Sequence, residues 1–172
     1  MSVNRTVVLP DWDDHKKFAK AEEVKKIAAK LIPEYHSHLA EARILCLFKK
    51  GTWNSQGKTV LAKAYIVPEQ WAYLTGHNLL IVVNHEVWHR LTEKQRSALI
   101  DHELSRFNRE DSPSSGASLG DPVWSMVGHD IEEFSGVVQR HGLWAKDIEK
   151  FFTAAKQMTI NELMILKGGR DD

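Results

Sequence analysis

Seven residues, NLLIVVN at 78–84, constrain this 172-residue chain more than any other stretch. From Leu79 to Val83 every side chain is apolar. A strand built this way has no face to give to water, so it belongs inside a sheet with a neighbour on each edge. Two further β-rich runs precede it, RILCLFKK (43–50) and TVLAKAYIVP (59–68), separated by GTWNSQGK. The Gly and Asn in that separator predict a turn, and the two runs read as a hairpin. Upstream, residues 13–42 repeat with helical period, placing Phe18, Val24, Ile27, Ala28 and Leu31 on one stripe. Pro33 is expected to break or kink that helix.

Downstream of the apolar strand, Thr92 and Gln95 form a capping-box pattern that opens a helix from about Glu93 to Phe107. Residues 108–121 lie in a polar Ser/Gly/Pro-rich run and are expected to form a mobile loop. VWSMV (123–127) reads as a short strand, HDIEEFSGVVQR (129–140) as a helix that stops at HGLW, and KDIEKFFTAAKQM (146–158) as a last helix with Ile148, Phe151, Phe152 and Ala155 on one face. The tail 167–172 is expected to fray. The fold class is therefore α+β: a small three- to four-stranded sheet, an N-terminal helix and a C-terminal helical part. One domain over 1–172 is expected, with its core at about 13–158, since a chain of this size buries roughly 70% of its unfolded surface without a staple.

Cys46 is the only cysteine, so no disulfide framework exists and a reducing, cytoplasmic setting is expected. No apolar run reaches ~18 residues, and the first residues lack the basic-then-apolar layout of a signal peptide. The 23 basic and 23 acidic residues cancel, which excludes a global pull toward nucleic acid or a membrane surface. Nine histidines make a metal worth testing.

Two stretches carry chemistry. In SALIDHELSRF (97–107), His102 and position 106 lie one helical turn apart on one face, the spacing of two ligands on one metal, while Glu103 is rotated about 100° from His102, beside such a metal and within reach of its water. The plainer reading is a surface His–Glu pair at a polar helix end. In GHDIEEF (128–134), His129 begins a helix and Glu132 and Glu133 follow at i+3 and i+4 on its face. A third ligand from a later helix is what a zinc site needs. The plainer reading is that Asp130, Glu132 and Glu133 complement a helix N-terminus.

Taken together, LTEKQRSALIDHEL and GHDIEEFSGVVQRHGLW resemble the phage metallopeptidase family, relatives of SprT-like zinc peptidases. YHSHLAEARILCLFKK, GKTVLAKAYIV and LLIVVNHEVW extend the resemblance over roughly residues 30–145. The resemblance implies a zincin-like fold, zinc as cofactor, a protein or peptide as substrate, and action in the cytoplasm of a bacterial host cell. It implies metal ligands at His102, position 106 and His129, with Glu103 as catalytic base.

This sequence departs from that pattern at position 106, where arginine stands for the second histidine. A guanidinium neither deprotonates nor ligates zinc. Either Arg106 swings out, leaving His102, His129 and a carboxylate such as Glu133 as ligands, or Arg106 replaces the metal and pairs with Glu103 and with Glu132 or Glu133. The first case describes a weakened metallopeptidase. The second describes a metal-free pseudoenzyme that binds a partner protein or nucleic acid, acting against a host system.

A second His-Glu-x-x-His, HEVWH at 85–89, follows directly on the apolar strand and ends before the Thr92 cap. That leaves no room for two helical turns, and in an extended strand its histidines would stand ~13 Å apart. It is not expected to bind metal. His36 and His38 are expected to be solvated or hydrogen-bonded. Trp71, Trp88 and Trp144 are expected in the core. Trp53 in the turn is expected to be exposed and, with Lys58 beside it, is a candidate contact for a nucleic acid.

Overall fold

The computed structural model describes residues 17–110, 122–130 and 135–168. The chain forms two compact units, Met1–Val127 and Gly128–Asp172. The first unit is built on a four-stranded mixed sheet. Its strands are β1 (Phe18–Lys20), β2 (Ile44–Lys49), β5 (Ala62–Ile66) and β6 (Leu79–Asn84), in the order β1-β2-β6-β5. The expected α+β class is what the chain adopts.

The apolar strand takes the middle of the sheet. It pairs in parallel with β2, Cys46 opposite Ile81, and antiparallel with β5, Ala64 opposite Ile81. All but one of its residues are buried. The two runs expected to form a hairpin are therefore not partners. A strand apolar on both faces gains most from two neighbours, so β6 inserts between β2 and β5. The turn between those runs closes a smaller hairpin of its own, β3 (Asn54–Ser55) and β4 (Lys58–Thr59). Gln56 and Gly57 take φ of 50° and 75°, the doubly left-handed backbone that tight two-residue hairpins need.

Helix α1 spans Glu22–Tyr35 and buries Val24, Ala28 and Leu31. It does not begin at residue 13. Phe18–Lys20 instead pairs antiparallel with Leu47–Lys49 at the sheet edge, and the Ala21 N–H donates to the Cys46 carbonyl at 2.9 Å where the chain turns into the helix. An unsatisfied strand edge outcompeted one turn of helix, and Phe18 is exposed rather than on the buried stripe. Pro33 does not divide the helix, which ends two residues beyond it. Helix α2 (Glu69–Thr75) links β5 to β6 and leaves Trp71 exposed on its surface.

A single helical turn, α3 (His85–Trp88), follows β6, and α4 (Glu93–Ser105) follows it. The capping box at the start of α4 is present in both directions: the Thr92 hydroxyl accepts from Gln95 N–H at 3.2 Å, and the Gln95 side chain accepts from Thr92 N–H at 2.9 Å. Helices α1 and α4 cover one sheet face, where Ala28, Leu31, Cys46, Phe48, Ile81, Val83, Trp88, Ile100 and Leu104 form the core. Trp88 is fully enclosed. Its indole N–H donates to Glu23 at 2.9 Å and Arg96 stacks over its ring. Burial raises the Cys46 thiol pKa to about 12, so that side chain is an inert part of the core. The other sheet face presents an apolar groove lined by Leu45, Leu47, Trp53, Tyr65 and Trp71.

Strands β7 (Phe107–Glu110) and β8 (Val123–Met126) pair antiparallel. The expected loop therefore begins later than residue 108, because Asn108–Glu110 find hydrogen-bond partners across in β8; residues 111–121 lie outside those described.

The two α-helices flanking the core are tied by side chains as well as by packing. His36, buried at the end of α1, bonds Asp101 of α4 through Nε2 at 2.6 Å, and His38 Nε2 donates to the Phe107 carbonyl at 3.0 Å. Hydrogen bonds to charged groups contribute about 1.5–3 kcal/mol. His36→Ala is expected to lose that much, read as a lower urea midpoint at unchanged slope. A midpoint equal to wild type would show that the link carries no stability.

In the second unit, α5 spans Ser135–His141 and α6 spans Lys146–Gly168. Ile148 is buried, while Phe151, Phe152 and Trp144 are exposed. Of the three tryptophans expected in the core, only Trp88 lies there. Among the described residues no helix is long and apolar enough to cross a membrane.

Candidate functional site

Helix α4 ends where its candidate chemistry begins. His102 is exposed, Glu103 is buried and Arg106 is half-buried. Arg106 is the C-cap, but its backbone stays helical (φ −74°, ψ −17°), with its N–H on the Glu103 carbonyl at 3.2 Å. Its own carbonyl accepts from Val127 N–H at 2.7 Å. Position 106 is thus held between the helix and the β7–β8 pair, one turn below His102.

Glu103 turns inward toward the sheet. The backbone N–H of Ala64 on β5 hydrogen-bonds its carboxylate. Its pKa is raised above the ordinary 4.5 because burial disfavours the charged form; the Ala64 hydrogen bond and the charge of Arg106 pull it down, but by less. Burial and the Glu103 charge together raise the Tyr65 phenol as well. His102 and Glu103 line one wall of a pocket of about 560 Å³, whose other wall is Val60, Leu61 and Ala62 at the start of β5. Since β5 is the last strand of the sheet order, this pocket runs along a sheet edge.

His129 and Asp130 are exposed at the start of the second unit. Glu132 and Glu133 fall outside the described residues. Within the first unit, then, the α4 end contributes one imidazole, one buried carboxylate and one guanidinium. Among the described residues no group of three or more His, Cys, Asp or Glu side chains is gathered as a metal cage.

Trp53 is half-buried, not exposed. Lys49 sits over its ring at 4.3 Å and the indole lines the apolar groove, while Lys58 is exposed on β4. Of these two lysines, Lys49 is therefore already engaged by an aromatic face, and Lys58 is the one exposed on the hairpin.

The HEVWH stretch requires a correction. The strand does not stay extended through it: Asn84 caps α3, its side chain accepting from Glu86 N–H at 3.1 Å and donating to the Val60 carbonyl at 2.9 Å. His89 is the C-cap with helical backbone (φ −64°, ψ −26°). One turn is enough to bring His85 and His89 together, with Nε2 atoms 2.9 Å apart. The sequence did hold the signal, an Asn directly before the histidine that opens the turn. Burial and the neighbouring His89 lower the His85 pKa, so its imidazole is neutral at pH 7.

No curated protein and no solved structure matches the chain. A family model described as "Putative phage metallopeptidase" matches residues 16–156, a span that contains the whole four-stranded sheet, both histidine turns and more than half of the second unit. A metallopeptidase family suggests a metal ion and implies a protein or peptide as substrate. On a match that covers most of its length, the chain belongs to the phage metallopeptidase family.

Proposed function

We propose that this protein is a zinc-dependent peptidase of phage or prophage origin, of the SprT-like kind, with a degenerate His-Glu-x-x-His turn and weakened activity. In this reading His102, His129 and Glu133 hold the zinc and Glu103 is the general base. The observation that carries it is Glu103: a carboxyl of raised pKa, next to His102, on the wall of a pocket along a sheet edge. General bases work best when their pKa approaches the operating pH. An extended peptide fits such a place, because a strand edge pairs with the backbone of an added strand while the pocket takes its side chains.

The fit to zinc is incomplete within the α4 turn. One imidazole stands there, and Arg106 opposes a cation. A bound zinc would supply an activated water; Glu103 would hold or move that water's proton, and the β5 edge would orient the chain to be cut. Ala64 N–H already serves Glu103, so the substrate strand is expected to pair with β5 on either side of that residue.

A metal-free pseudoenzyme that binds a protein or nucleic-acid partner is the second reading. It is favoured by the Arg106 charge acting on Glu103, which can take the place of a metal as the fixed cation of the site.

Metal analysis of protein purified without a His-tag decides between them. About one zinc per chain is expected, lost in His102→Ala and in His129→Ala and kept in His89→Ala. A wild type that carries no zinc and takes none up on titration would leave the pseudoenzyme reading.

A further inference from the structure

His85 and His89 stand outside the α4 site, and their arrangement is specific. The rings are 4.2 Å apart and nearly perpendicular, at 88°, with the two Nε2 atoms 2.9 Å from each other. Neither ring is placed by chance. His85 packs edge-on against Phe48 with centroids 5.2 Å apart, and Phe48 in turn rests on the enclosed Trp88. The Asn84 cap fixes the start of the turn to the Val60 carbonyl. His85 is half-buried and His89 is exposed, so one side of the pair is open to water.

A metal bound by two imidazoles sets the distance between their nitrogens. With metal–nitrogen bonds of about 2.0 Å, a tetrahedral ion such as zinc separates them by about 3.3 Å. Neighbouring corners of a square-planar or tetragonal site lie about 2.8 Å apart, and that geometry belongs to Cu(II) and Ni(II). The observed 2.9 Å, a hydrogen-bond separation, lies within a few tenths of an ångström of both, so two imidazoles placed this way can close on one ion with little movement. Glu23, the carboxylate of α1 nearest this turn, is already committed to the Trp88 indole and to Arg96 at 3.6 Å. The remaining positions of the metal are open to water, to a ligand from outside, or to exposed Glu86, whose charge also acts on His85.

We propose that His85 and His89 form a two-imidazole site for a late divalent transition metal, Cu(II) first and Ni(II) second, on the single helical turn that follows the central strand. The order follows from the rise of affinity toward copper across the first-row divalent ions. The site does not depend on the α4 reading, and its ligands are different residues. Filling it would clip the single turn of α3 between its first residue and its C-cap and stabilise the folded chain by linkage.

The test is titration of the untagged full chain with Cu(II) and with Ni(II), followed by calorimetry and by electron paramagnetic resonance of the copper form. One Cu(II) per chain with two nitrogen ligands in the spectrum is expected, bound more tightly than Ni(II). Removal of a supporting group outside the ligand set already costs 10–100-fold in metal affinity, so His89→Ala, an exposed and structurally undemanding change, is expected to lose at least about 100-fold. His85→Ala should lose as much, with thermal melts of both variants confirming the fold. His102→Ala should bind copper as the wild type does. Copper affinity unchanged in His89→Ala overturns the proposal, as does a spectrum with one nitrogen ligand; in that case the imidazoles only hydrogen-bond each other. Copper lost in His102→Ala but kept in His89→Ala also overturns it, and places the ion at the α4 turn.

Discussion

Arg106→His is expected to raise zinc affinity by about four orders of magnitude. At ~5 Å from a dication and an effective dielectric of about 20, a guanidinium costs on the order of 6 kcal/mol, which is about four decades before the gain of a ligand is counted. The geometry for the gain is already in the chain. Arg106 keeps helical backbone at the C-cap, one turn below His102. His89 holds the same relation to His85, also from a helical C-cap, and there the two Nε2 atoms meet. A histidine at 106 is therefore expected to bring its ring to His102 in the same way. Calorimetric titration with zinc measures the change, and the melting temperature should climb with added zinc because the metal binds only the folded chain. Arg106→Ala separates the two contributions: it removes the charge without adding a ligand, and an intermediate affinity is expected. Should Arg106→His bind zinc no better than wild type, His102, position 106 and His129 do not share a metal, and the site implied by the family resemblance is wrong for this chain.

Glu103→Gln is expected to remove peptidase activity and to stabilise the fold at neutral pH. The amide keeps the shape and can still accept from Ala64 N–H, but it cannot take a proton, a role that contributes about 10²–10⁴-fold to rate. The stability effect has a definite sign. The folded pKa of Glu103 is raised above its unfolded value, so the protonated form favours folding. That contribution is fully present below the unfolded value near 4.5 and is lost as pH rises through the raised folded value. Above that window the wild type buries a charge and the glutamine variant does not. For a domain of this size each 1 kcal/mol gained moves the melting temperature by roughly 2–4 °C. Melts between pH 4 and 8 should show the wild type losing stability across the window and Glu103→Gln losing less. The ion-pair role with Arg106 predicts the opposite. Breaking a buried pair strands the cation and costs about 3–5 kcal/mol, so a lower melting temperature for Glu103→Gln at pH 7 would favour the pseudoenzyme.

Several features of this protein were fixed by residues close together in the chain. The central place of Leu79–Asn84 follows from five adjacent apolar side chains, and the start of α4 from Thr92 and Gln95, three residues apart. The α+β class follows from the order of such segments. The family could be recognised for the same reason, since its blocks are contiguous runs. Each of these signals is complete within one or two turns, so no distant partner can change it.

Other features were decided by partners far away in sequence. Which strands flank β6 depended on edges competing for its two sides, and so β2 and β5 were separated rather than joined. Phe18 left its helical stripe because the backbone of Leu47–Lys49 offered it a strand. Trp71 and Trp144 sit in apolar sequence yet face solvent, because burial requires an opposing surface that the local sequence does not supply. The histidines of HEVWH show the difference most directly. Their spacing is compatible with strand or helix, and in those two states their rings are far apart or touching. The choice was made by Asn84, whose side chain reaches Val60, twenty-four residues earlier, and starts a helical turn where the strand would otherwise run on.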